Sequence, residues 1–135
     1  MKIEPYLFFD GRCEEAMHFY EKALGAKLEF LSRYKESPEP PGPIPPGFEE
    51  KVIHATLRIG DEDLMASDDC TGANKTFEGF CLSITAPDES RARTVFGALA
   101  EGGKVTMPLT KTYFSPCFGM LTDRFGIPWM INCAG

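Results

Sequence analysis

The feature that most constrains this chain is a unit written twice. Tyr6-Leu7-Phe8-Phe9 runs into the turn Asp10-Gly11-Arg12, then an amphipathic stretch, then Gly25-Ala26-Lys27-Leu28. Ile84-Thr85-Ala86-Pro87-Asp88-Glu89 leads into a second such stretch, closed by Gly102-Gly103-Lys104-Val105. Gly25 and Gly102 stand 77 positions apart in 135 residues. Two copies are too few for a solenoid, which needs about three or more repeats to bury a continuous core. A pseudo-symmetric domain of two strand–helix–strand units is the remaining solution.

In the first copy Ala16, Phe19, Tyr20, Ala23 and Leu24 form an apolar stripe at helical spacing, with Glu14, His18, Glu21 and Lys22 opposite. Asp10 is the expected N-cap and Gly25 the expected left-handed stop. His18 reads as a surface residue with Glu14 one turn back. In the second copy Ala92, Val95, Phe96 and Leu99 repeat the stripe on a helix over 89–100. Strands are expected at 3–9, 26–34, 52–59, 63–67, 79–85, 104–109, 118–122 and 127–132, so that each half reads β-α-β-β-β. Within 52–59, Ile53, Ala55, Leu57 and Ile59 alternate with Val52, His54, Thr56 and Arg58, which predicts a half-buried strand. Six prolines between Lys35 and Gly47 predict an extended surface loop. Asp68 to Lys75 reads as a turn-rich join between the halves.

Fourteen basic against twenty acidic side chains give a net charge of −6, which argues against nucleic acid and anionic membrane as partners. No apolar run is long enough to span a bilayer, and Met1-Lys2-Ile3-Glu4-Pro5 lacks the apolar core of a secretory signal, so a cytoplasmic location is expected. Five cysteines without a C-x-x-C pair suggest neither a disulfide framework nor a zinc site. Reduced thiols are expected, with Cys117 beside Pro116 the most exposed.

The two halves resemble the vicinal-oxygen-chelate superfamily of glyoxalase I, extradiol dioxygenases and bleomycin-resistance proteins, and within it the PhnB-like branch. The likeness rests on Phe9-Asp10-Gly11 with Ala16, Phe19-Tyr20 and Leu24-Gly25; on His54-Ala55, Ile59-Gly60 and Leu64-Met65-Ala66-Ser67-Asp68; and on Phe118-Gly119, Asp123, Phe125-Gly126 and Trp129-Met130-Ile131-Asn132. It implies an α+β fold in a single glyoxalase-like domain over 1–135. Two βαβββ modules, about 1–70 and 78–135, would form a curved mixed sheet with helices on the convex face. A homodimer is expected on the same ground.

Enzymes of this superfamily hold a divalent metal with four His, Glu or Gln side chains. Carried over by the helix and turn landmarks, those places fall on Pro5, Met65, Gly79 or Phe80, and Met130. Thioethers and apolar groups do not ligate a hard or borderline cation, so no metal and no other cofactor is expected. Glu78 and His54 are the nearest alternatives. The expected ligand set is His54, Thr56 and Arg58 on one strand face, Met65 and Met130 as an apolar floor, and Tyr113 and Trp129 as aromatic walls. For Arg58 an ion pair with an acid competes with ligand binding, and for Trp129 a plain core role competes. The function expected is binding of a small apolar or aromatic molecule in a metal-free cavity, as in bleomycin-resistance proteins. The alternative is a lyase, isomerase or dioxygenase-type enzyme of the same superfamily, independent of metal or using an atypical one, with His54 as general base.

Overall fold

In the computed structural model, residues 1–38, 43–69 and 76–134 are described. The expectations for the centre of the proline-rich loop (39–42) and for 70–75 lie outside them. The chain divides into two compact units, Met1–Lys75 and Thr76–Gly135.

Unit 1 runs β1 (Tyr6–Phe9), α1 (Cys13–Leu24), β2 (Lys27–Arg33), a 3-10 turn (Tyr34–Glu36), β3 (Val52–Ile59) and β4 (Glu62–Asp68). The strands lie in the order β1-β4-β3-β2, with β1 parallel to β4 and the other pairs antiparallel. Helix α1 packs on this sheet. Cys13, Ala16, Met17, Tyr20, Ala23 and Leu24 are buried from the helix, and Leu7, Phe9, Ala55, Leu57, Leu64 and Ala66 from the strands. The stripe thus sits one step from the expected one: Met17 is inside and Phe19 only half-buried. Gly25 ends the helix at φ 64, where a residue bearing a Cβ would be strained.

The helix head corrects a second expectation. Asp10 is exposed and caps nothing; Arg12 is the N-cap and makes no side-chain cap bond. The acceptor comes instead from the far end of β4. Asp68, 1% exposed, takes the backbone N–H groups of Gly11 (2.8 Å) and Cys13 (2.9 Å) on Oδ1 and that of Val52 (2.9 Å) on Oδ2. A buried carboxylate costs heavily unless hydrogen-bonded, and three amide donors offset that cost. Asp68 is therefore the end of a strand and a tertiary cap, not part of a turn.

Two bulges set the faces of the sheet. Leu28 pairs with Leu57 but Phe30 with Thr56, so Glu29 is the extra residue on β2. Ser32 pairs with His54 but Arg33 with Val52, so Ile53 is the extra residue on β3. Each bulge reverses the alternation beyond it. Phe30 turns away from the core, and Val52, expected on the polar face, turns into it with 1% exposure.

Unit 2 repeats the plan with β5 (Leu82–Ala86), α2 (Glu89–Ala100), β6 (Lys104–Thr110), β7 (Phe118–Thr122) and β8 (Pro128–Cys133), ordered β5-β8-β7-β6. Asp88 caps α2 conventionally, accepting from Arg91 N–H at 2.7 Å. Ala92, Val95 and Leu99 are buried, and Phe96 reaches β7 where Gly119 leaves room. Pro108 sits on the edge strand β6, within the register shift between Met107 and Thr110, where its missing N–H costs least. A second buried carboxylate shapes this unit. Asp123 takes Phe125 N–H and Ile127 N–H on Oδ1 and the Trp129 indole N–H, at 2.8 Å, on Oδ2.

The cysteines depart from expectation. Cys117 is buried, not exposed, and is joined to Cys133 by a disulfide across a Cα separation of 5.7 Å. Phe118 pairs with Asn132, so the two cysteines stand opposite each other one step further along the β7–β8 ladder. A spacing of 16 residues across a hairpin is invisible to any C-x-x-C rule. Among the described residues, no helix is long and apolar enough to cross a membrane.

Candidate functional site

The face of the unit 1 sheet turned away from the α1 core is built in rows by the strand register. Tyr6, Met65, Thr56 and Phe30 form one row across all four strands. Phe8 with Ser67, and His54 with Ser32, belong to the next. Because successive side chains alternate, Leu7 and Phe9 go to the core while Tyr6 and Phe8 stay outside with His54.

His54 is half-buried at the middle of this face. The Tyr6 hydroxyl lies 3.0 Å from its Nδ1, and the Thr56 hydroxyl 3.3 Å from its Nε2. The Tyr6 and Phe30 rings stand 5.6 and 5.9 Å from the imidazole, both tilted, and Phe8 lies 4.9 Å from Tyr6. Phe8 and Phe30 are 50% and 52% exposed, an uncommon outlay of aromatic surface on one strand face. Of the expected residues, His54, Thr56, Arg58 and Met65 share this face. Tyr6, Phe8 and Phe30 join them without having been singled out. Tyr6 and Phe8 were legible only through alternation, which the neighbouring Leu7 and Phe9 obscure. Phe30 depends on a bulge that no residue type announces.

Arg58 is already engaged. It pairs across the ladder with Asp63 at 3.0 Å, and this hydrogen bond holds its guanidinium above its ordinary range. The ion pair, not a free cation, occupies that corner, and a ligand anion would have to displace Asp63.

In unit 2, Met130 pairs with Met120, and Met120 with Met107, a half-buried methionine row beside Ser83. Trp129 is not a ligand residue. It is 2% exposed, and its one polar hydrogen is taken by Asp123, so it is core. Tyr113 is wholly exposed and stacks edge-on against Phe114, which stacks on Phe118.

A separate cavity of about 320 Å³ opens at the head of α1, lined by Gly11, Glu14, Arg33, Glu50, Lys51, Val52 and Asp68. Its charged groups already have partners within the chain. Arg33 forks onto Glu14 with two contacts of 2.9 Å, which holds the Glu14 carboxyl below its ordinary range, and also meets the Glu50 carbonyl. Lys51 donates to the Gly11 carbonyl at 3.0 Å. Cys13, beneath it, has its thiol pushed far up, chiefly by burial and then by Asp68 and Glu14, and is no nucleophile.

The metal of the superfamily does not fit this donor set. Pro5 offers only a carbonyl, which accepts from Met65 N–H at 3.1 Å, and Met65 and Met130 offer thioethers. His54 has both nitrogens engaged by hydroxyls. Among the described residues, no group of three or more His, Cys, Asp or Glu side chains could surround an ion.

Comparison with known proteins agrees with this architecture. Residues 1–132 match the family described as 3-demethylubiquinone-9 3-methyltransferase. The Escherichia coli (strain K12) protein YjdN is 33% identical over 139 aligned positions, spanning 98% of this chain and 95% of its own. Protein PA1353 from Pseudomonas aeruginosa is 41% identical with a TM-score of 0.88, covering 98% of this chain and 97% of that one. A PhnB protein from Bacillus cereus is 36% identical with a TM-score of 0.84, covering 99% and 100%. The fold alone is shared with a glyoxylase/bleomycin resistance protein/dioxygenase domain from Frankia sp. EAN1pec, at 14% identity, a TM-score of 0.70, and 100% and 92% coverage.

Proposed function

The chain belongs to the family described as 3-demethylubiquinone-9 3-methyltransferase, within the PhnB-like branch of the vicinal-oxygen-chelate superfamily, and from that premise we propose that it binds a small aromatic molecule without a metal. The site is the open face of the β1-β4-β3-β2 sheet. One observation carries the reading: Tyr6 and Phe30 flank His54, Phe8 stacks against Tyr6, and the two phenylalanines leave about half their surface in solvent. Aromatic rings gain from offset or edge contact with such groups beyond the area they bury. Met65 adds a polarizable thioether that adapts to the shape of a ring. The role is sequestration in the manner of bleomycin-resistance proteins, and the assembly proposed with it is a homodimer.

Two enzymatic readings find less support. A general base needs a free basic atom within reach of the substrate proton, and both nitrogens of His54 are engaged. Methyl transfer from a nucleotide-bearing donor calls for a glycine-rich strand–helix turn; the turns here read Asp10-Gly11-Arg12 and Pro87-Asp88.

The test is a heteronuclear NMR screen of the purified chain with a panel of small phenols and aryl ketones, beside saturated-ring analogues of each. Binders from the aromatic panel should shift the signals of Tyr6, Phe8, Phe30 and His54, and Phe8→Ala with Phe30→Ala should weaken them about tenfold or more. Equal responses to the saturated analogues, or shifts confined to other residues, would refute the proposal.

A further inference from the structure

A neutral imidazole carries one N–H donor and one bare nitrogen acceptor. Tyr6 and Thr56 hold the two nitrogens of His54 at 3.0 and 3.3 Å, so their hydroxyls cannot play the same part. With the hydrogen on Nε2, the ring donates to Thr56 Oγ1 and accepts from the Tyr6 hydroxyl. Thr56 then keeps its own hydrogen for an outside acceptor, and Tyr6 offers only oxygen lone pairs to an outside donor. With the hydrogen on Nδ1 the two roles exchange. In either tautomer the pair presents one donor and one acceptor, on opposite sides of the imidazole. Presenting two donors breaks a bond to His54, and a ligand with donors at both ends leaves the pair's one free hydroxyl hydrogen without a partner.

Resting on the ligand face proposed above, we infer that its ligand is a small planar ring with a hydrogen-bond donor at one end and an acceptor at the other. Tyr6 and Thr56 contact those ends. Phe8 and Phe30 contact the ring, being the half-exposed aromatics of the same face. His54 is a positioning residue: it touches no ligand atom, and it forces the two hydroxyls into opposite polarity. A ring polar at only one end leaves one of the two hydroxyls desolvated without a partner, which is where discrimination arises.

Three matched probes test this on the intact chain, by NMR titration. 4-Hydroxyacetophenone has a donor at one end and an acceptor at the other. 4-Methylacetophenone lacks the donor, and 4-ethylphenol lacks the carbonyl acceptor. The first should bind about tenfold tighter than either of the others, the worth of one hydrogen bond left unmade. Tyr6→Phe and Thr56→Val should each reduce that ratio to within about twofold. His54→Phe, which keeps both hydroxyls but uncouples them, should do the same, an effect that loss of packing alone would not produce. Should the three probes bind the native chain within about twofold of each other, through the signals of Tyr6, Phe8 and Phe30, the polarity inference fails while the aromatic site stands. Should none of the three move those signals, the site and the inference fall together. The probe series on the native chain decides the matter even if a variant does not fold.

Discussion

Replacing Asp68 with alanine should be among the most damaging single changes available in unit 1. Its carboxylate receives three backbone donors, of Gly11, Cys13 and Val52, and Asp68 itself is 1% exposed. Cys13 and Val52 are 0% and 1% exposed, so their N–H groups would find no water, whereas Gly11 is only half-buried and can be rehydrated. An orphaned buried donor costs about 1–3 kcal/mol. Two of them, with the first turn of α1 losing this side-chain acceptor, give a loss of about 3–5 kcal/mol. Against a total stability of about 5–15 kcal/mol this is a large share. Asp68→Asn keeps one carbonyl oxygen but sets an amide donor against one of the N–H groups, so about half the loss is expected. Urea unfolding followed by far-ultraviolet circular dichroism measures both: the midpoint should fall in the order native, Asn, Ala, with the slope unchanged. A loss below about 1 kcal/mol for the alanine variant would refute the claim that a residue at the end of β4 caps α1.

In unit 2, Gly119→Ala should cost about 1–3 kcal/mol by overpacking, since its Cβ would lie 2.7 Å from Phe96 Cε2 and 3.0 Å from the Leu109 backbone. Phe96→Leu in the same chain should recover part of that in a urea titration, and strict additivity of the two changes would count against direct contact. The Glu14 carboxyl, held down first by its hydrogen bonds to Arg33, contributes stability that is complete above the ordinary glutamate range and is lost as pH falls through its lowered value. Arg33→Ala should therefore move the NMR titration midpoint of Glu14 upward, and an unmoved midpoint would show that the fork is absent in solution. Cys13, buried and with its thiol pushed up, should resist iodoacetamide at pH 8 in the native chain while half-buried Cys81 reacts first, read by peptide mass spectrometry. Faster labelling of Cys13 would contradict its placement under α1.

The repeat, the two helices and the strand list follow from local chemistry. Apolar residues at helical spacing, the Gly25 stop and the Asp88 cap act over a few residues, so the chain states them directly. The strands of 52–59 and 118–122 and the helix of 89–100 fall where periodicity puts them. His54, Thr56, Arg58 and Met65 share a face for the same reason: alternation assigns sides, and the hairpin at Gly60-Asp61 brings β4 back against β3.

What the sequence could not express depends on register between distant strands. The bulges at Glu29 and Ile53 belong to the pairing of β2 with β3, and they send Phe30 outward and Val52 inward. The cap on α1 comes from 55 residues beyond its first residue, and the partner of Cys117 from the opposite strand. Arg58 meets Asp63, and the two nitrogens of His54 meet Tyr6 and Thr56, because strands stack side chains in rows. Residue types and their spacing thus determined the elements and the side of the sheet on which His54, Thr56 and Arg58 stand. Only the folded ladder decided which groups on that face are already satisfied, because hydrogen bonding is settled by distances between strands and not by order along the chain.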